Sequence, residues 1–195
     1  MRVNPRLPPV VPLRDRLVSA AVALTSTGGW ARVTMARLAD EVGVSRQTVY
    51  NEIGSKPALA EALVASELEA FLGVVGDAFD AHPEDLEAAV VAASFGVLEH
   101  AEDNVLLHAV VSATHGADTE LLPLLTTHAG SLLAAAKAVV AERVTGYHVQ
   151  LAERELDAGI DMVVRVVLSH VMAPSAPPER TAADIGWVAR RVLRG

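Results

Sequence analysis

Cysteine is absent from this 195-residue chain. That one absence excludes disulfides, thiolate metal sites and cysteine nucleophiles, and it fits a reducing compartment. Aromatic residues are scarce, at 4%, and no alternating β-branched run offers strands. No apolar run approaches the roughly 18 residues that a membrane span needs. The best stretch, DMVVRVVLSHVMAP, is interrupted by Arg165. Pro5, Pro8, Pro9 and Pro12 break up any signal-peptide segment near the N-terminus, so a cytoplasmic location is expected. A Gly-rich phosphate loop, a G-x-S-x-G elbow and an H-E-x-x-H pair are all missing.

What the chain does have is Ala, Leu and Val, within a hydrophobic content of 51%. This composition favours an all-α fold. The apolar spacing predicts about nine helices: three short ones (13–26, 35–42 and 45–53), then longer ones near 57–80, 84–101, 104–114, 118–145, 150–173 and 180–194. Thr34, Ser45 and Ser55 are suited to cap the helices that follow them. Paired glycines at 28 and 29 stop the first helix, and Gly43 supplies the turn between the second and third.

Charge is unevenly spread. The net charge is −8, which argues against a polyanionic partner at first sight. Residues 1–56, however, carry eight basic and four acidic side chains, a net of +4, while residues 57–195 carry eight basic and twenty acidic ones, a net of −12. The split describes a basic head and an acidic body. We therefore divide the chain into an N-terminal arm and head at 1–56 and a larger helical domain at 57–195. Chance clustering is the plain alternative, because four charges is a small excess.

The stretch EVGVSRQTVYNEIGSK, residues 41–56, concentrates side chains that make poor core. Two short helices joined by a Gly-containing turn form a helix-turn-helix. Its second helix fits the major groove of DNA, about 12 Å wide. Val42, Val44 and Val49 are placed to pack the two helices together. Ser45, Arg46, Gln47 and Thr48 fall at the N-terminal end of the inserted helix, where free N–H groups favour phosphate. Arg can pair with guanine and Gln with adenine.

The longer segment GGWARVTMARLADEVGVSRQTVYNEIGSKPAL resembles the DNA-binding region of the tetracycline-repressor (TetR) family of bacterial transcriptional regulators. The resemblance covers about residues 13–62. It rests on Trp30, Thr34, LADEVGVS, Tyr50, Lys56 and Leu59, and departs at Ile53, where the family commonly has Phe. It implies that Tyr50 and Lys56 bind phosphate, as do Thr34 and Ser45 at helix N-termini. Arg46, Gln47, Thr48 and Asn51 match the variable base-facing positions. Two other readings stay open: Tyr50 as a core aromatic, and Glu52 pointing to solvent rather than accepting from cytosine. Arg2 and Arg6 either enter a minor groove or belong to a tail without contacts.

The resemblance further implies a homodimer on a palindromic operator of double-stranded DNA, formed through the last two helices. Val163, Val167, Val171, Val188 and Val192 are the interface candidates, with ordinary core as the alternative. Arg165 is expected to pair with Asp161 one turn earlier. The family's body usually holds a small-molecule effector, and Phe95, His100, Leu107, His108 and His115 are the pocket candidates, with plain core as the alternative, above all for Phe95. His108 and His115 share a helix face, but their spacing is long for zinc. No metal and no cofactor are expected.

The leading reading is a repressor released from its operator by a small apolar ligand, and not an enzyme. A regulator without an effector, or an activator, is the alternative. A helical metal-dependent enzyme is the remote one.

Overall fold

The computed structural model describes residues 11–104, 106–108 and 122–193. Arg2, Arg6 and His115 lie outside them. Among the described residues every regular element is helical, in line with the all-α expectation. No helix there is long and apolar enough to cross a membrane. The elements are α1 (Leu13–Gly28), a 3-10 turn (Trp30–Arg32), α2 (Met35–Val42), α3 (Arg46–Ile53), α4 (Lys56–Ala81), α5 (Leu86–Glu102), α6 (Leu122–Val144), α7 (Glu153–Met172) and α8 (Pro178–Leu193). The chain divides into two units between Leu63 and Val64, so the first turns of α4 group with the head.

The first unit closes around one side of each short helix. Leu17 and Ala21 of α1, Leu38 and Ala39 of α2, Val49 and Ile53 of α3, and Leu59 and Leu63 of α4 are buried, as are Trp30 and Val33 between α1 and α2. Ile53 fills its place as an aliphatic residue. The helix ends are tied down locally. Thr34 Oγ1 accepts the Arg37 N–H at 3.2 Å, Ser45 Oγ accepts the Thr48 N–H at 3.1 Å, and Ser55 Oγ accepts the Ala58 N–H at 3.2 Å. Such caps contribute about 1 kcal/mol each. Between α2 and α3, Gly43 takes φ 75° and ψ 39°. That left-handed conformation costs a side-chain-bearing residue roughly 1–2 kcal/mol.

The second unit is built on Val75 and Phe79 of α4, Ala89, Val90, Ala93 and Val97 of α5, Val144 of α6, and Ile185 and Ala189 of α8. A Cβ at Gly186 of α8 would stand 2.2 Å from Val91 Cγ2, which shows how closely α5 and α8 approach. Tyr147 closes the far end of α4 by donating its hydroxyl to His82 O at 2.7 Å and Phe79 O at 3.3 Å. Burial, and then Asp80 and Asp85, push its phenol up from the ordinary value. Arg143 pairs with Asp80 beside it.

A charged cluster holds α6 to α7. Asp161 receives Arg165 Nε at 2.7 Å and Lys137 Nζ at 3.1 Å, and Lys137 also stands 3.3 Å from Asp157. The expected Arg165–Asp161 pair is therefore present, with a lysine the periodicity did not reveal.

Candidate nucleic-acid interface

Helix α3 separates its residues by chemistry. Val49 and Ile53 are buried, while Arg46, Gln47, Tyr50, Asn51 and Glu52 are exposed and Thr48 is half-buried. Tyr50 is 50% exposed, so the core-aromatic alternative does not hold. Ser45 stands at the N-cap, its Oγ 2.8 Å from Thr48 Oγ1. Gln47 Nε2 donates to Asn51 Oδ1 at 2.9 Å. The Glu52 side chain is exposed, in line with its solvent reading. Thr34, exposed at the start of α2, and Ser45 at the start of α3 each leave a helix N-terminus able to meet an anion.

Lys56 is half-buried, and its ammonium stands 5.2 Å from the centroid of the Trp30 ring. This cation–π contact steadies a residue at the start of α4 from a different segment. Two bracing residues escaped the sequence reading. Arg16 Nη2 donates to Val42 O at 2.9 Å, and Arg14 Nη1 to Glu52 O at 3.3 Å. Each arginine of α1 thus meets a carbonyl at the C-terminal end of α2 or α3, where the helix dipole favours a cation. Their only sequence signal was two arginines near the start of α1.

The pocket candidates converge only in part: Leu107 and His108 line one hollow, and Phe95 lines a neighbouring one that shares Glu102, Pro174, Ala176 and Pro178 with it. Phe95 lines an open hollow of about 450 Å³ together with Glu99, Glu102 and Glu179. Three carboxylates make it a poor home for an apolar ligand. Leu107 and His108 line a second hollow of about 360 Å³, with Leu98, His170, Val171 and Met172, and with Glu102 as its one carboxylate. Its wall is mostly apolar. His100 lines neither of these hollows. It packs edge-on against Phe71, with ring centroids 4.6 Å apart, and its Nε2 lies 3.7 Å from Glu67. His108 Nε2 is 2.7 Å from Glu102 O. Among the described residues no group of three or more His, Cys, Asp or Glu could hold a metal ion.

The interface candidates divide as well. Val163, Val167 and Val171 pack against the unit's own core, the alternative the sequence left open. Val188 and Val192 are exposed, along with Met162, Val166 and Met172 of α7 and Trp187 of α8. Met162 is 63% exposed and Trp187 is 59%. The Arg191 guanidinium stacks on the Trp187 ring at 3.9 Å. The line 162–166 on α7 sits one residue away from the valine line offered for the interface.

Comparison with known proteins agrees with this organisation. Residues 17–63 match the model for bacterial regulatory proteins of the tetR family, and residues 85–191 match that for a bacterial tetracyclin repressor C-terminal domain. Over 174 residues the chain is 28% identical to the HTH-type transcriptional regulator AlkX of Mycobacterium tuberculosis, spanning 89% of this chain and 81% of that one. Among solved structures it is similar to the TetR family repressor AlkX of Dietzia sp., a protein implicated in biodegradation of n-alkanes. That likeness has 26% identity and a TM-score of 0.73, over 93% of this chain and 95% of the other. A putative TetR-family regulator of Mesorhizobium loti shares the fold at 18% identity and a TM-score of 0.64, over 92% and 95% of the two chains.

Proposed function

The chain belongs to the tetracycline-repressor family and is thus a DNA-binding transcriptional regulator, not an enzyme; from that premise we propose that it represses as a homodimer on a palindromic operator and is released by a small apolar molecule. The observation that carries the DNA reading is the division of α3. Its inner side is Val49 and Ile53, and its exposed side is polar apart from the ring of Tyr50. A helix so divided has no apolar partner for its outer face and matches the donor and acceptor edges of a major groove.

In this reading Thr34, Ser45, Tyr50 and Lys56 grip phosphates and fix the register of the head. Arg46, Gln47 and Thr48 supply base contacts, and Asn51 lies with them on the base-facing side. A single head reads only a few base pairs, so a second copy is needed for specificity. The exposed apolar residues of α7 and α8 are the surface for that copy, with Met162, Val166, Trp187, Val188 and Val192 at its centre. Contiguous exposed apolar surface marks an interaction site.

The hollow beside Leu107 and His108 is the proposed effector site. Its largely apolar wall and the link of the Dietzia repressor to n-alkane biodegradation make a long apolar molecule the first class to test. Helix α4 has residues in both units and so offers a covalent path by which an occupied body biases the heads.

Selection of random duplex DNA by the purified protein at two salt concentrations tests the reading. A palindromic motif retained at the higher salt is the expected result. Binding without sequence preference that disappears at the higher salt would leave only a weak polyanion binder. Light scattering at micromolar concentration should give the mass of a dimer, and a monomer mass would overturn the homodimer.

A further inference from the structure

On α3, at 3.6 residues per turn, Ile53 lies about 40° around from Val49, while Gln47 and Asn51 lie about 160° away on either side. Val49 and Ile53 define the buried side. Gln47 and Asn51 therefore occupy the line farthest from the core, the line that a groove-inserted helix carries deepest. Arg46 and Tyr50 fall on one flank, and Thr48 and Glu52 on the other. These two amides are thus the residues of α3 best placed for base edges, and they hold each other, Gln47 Nε2 donating to Asn51 Oδ1 at 2.9 Å.

A primary amide has two N–H donors and one carbonyl acceptor. Gln47 uses one N–H on Asn51 and keeps the other together with Oε1. A donor beside an acceptor complements adenine, whose N7 accepts and whose N6 donates in the major groove. A long Gln side chain loses rotamer freedom when it meets a base. The bond to Asn51 removes part of that freedom before DNA arrives, which pre-organises the contact.

We propose that Gln47 and Asn51 form one reading unit, in which Gln47 meets the adenine of a single A·T pair in each half-site and Asn51 is the positioning residue that fixes the Gln47 amide. This rests on the proposed insertion of α3 into the groove. It differs from two independent contacts, in which each amide would read its own base pair.

The test is duplex selection with the wild-type protein and with Gln47→Ala, Asn51→Ala, the double variant and Asn51→Asp. Both side chains are exposed, so the alanine variants keep the core of their unit. The wild-type protein should prefer adenine at one position of each half-site by roughly tenfold or more. Each alanine variant should flatten that same position, and the double variant should flatten it no further. Asn51→Asp still accepts from Gln47, so it should keep the adenine preference while binding every duplex more weakly, because a negative charge now faces DNA. Alanine variants that alter two different positions, or an Asn51→Ala protein with the wild-type motif, would overturn the unit and leave the DNA reading intact. A wild-type protein that enriches no motif would overturn both.

Discussion

The Lys56 ammonium stands 5.2 Å from the centroid of the Trp30 ring, joining the 3-10 turn to the first turn of α4. Trp30 is 1% exposed, so its ring serves both as core and as the seat of a cation. Trp30→Ala should destabilise the head by about 3–5 kcal/mol, while Trp30→Phe, which keeps an aromatic face, should cost less. Chemical denaturation of the two variants checks this. Equal losses would mean that neither the volume nor the aromatic face that Phe keeps counts at this position.

The crossing of α5 and α8 should be sensitive to a single carbon. A Cβ at Gly186 would stand 2.2 Å from Val91 Cγ2. Gly186→Ala should therefore cost about 1–3 kcal/mol through overpacking. Adding Val91→Ala should recover part of that loss, a coupling that a double-mutant cycle measures. Simple additivity of the two changes would show that the helices move apart freely.

The Asp161 cluster predicts a particular acid limb. Hydrogen bonds from Arg165, and then from Lys137, hold the Asp161 carboxyl below its ordinary value. A carboxylate lowered on folding stabilises the fold above its unfolded pKa, and that contribution is lost as pH falls through the lowered folded value. Lys137 is raised, chiefly by its bond to Asp161, and its contribution is present below the ordinary lysine value and lost as pH rises through the raised one. Thermal midpoints measured downward from pH 5 should fall more steeply for the wild-type protein than for Asp161→Asn. The difference should shrink at high salt, because both partners are accessible to solvent. Parallel acid limbs would mean that the cluster adds nothing to stability.

The head was legible in the sequence because its signals are local. Thr34 and Gly43 bracket α2 at Met35–Val42, and Ser45 and Gly54 bracket α3 at Arg46–Ile53, so capping chemistry set both ends. The body was less legible. Helix α7 has apolar side chains on more than one side. Of the valines offered for the interface, Val163, Val167 and Val171 face the core, while Met162 and Val166, which were passed over, face solvent. Which apolar line is covered within one chain depends on packing against α5 and α8, and no local spacing encodes it. The same holds for contacts across long separations, such as Arg143 with Asp80, Lys56 with Trp30, and Arg14 with the Glu52 carbonyl.

A salt-titrated binding series on the selected duplex and on random duplex tests most directly whether α3 and its neighbours read DNA. Tyr50→Ala and Lys56→Ala should weaken binding to both duplexes, and Lys56→Ala should reduce the slope of log affinity against log salt by about one. Gln47→Ala should leave that slope unchanged and lose the preference for the selected duplex. Three variants that behave alike, or that bind as the wild-type protein does, would contradict the assignment of α3 as the reading helix.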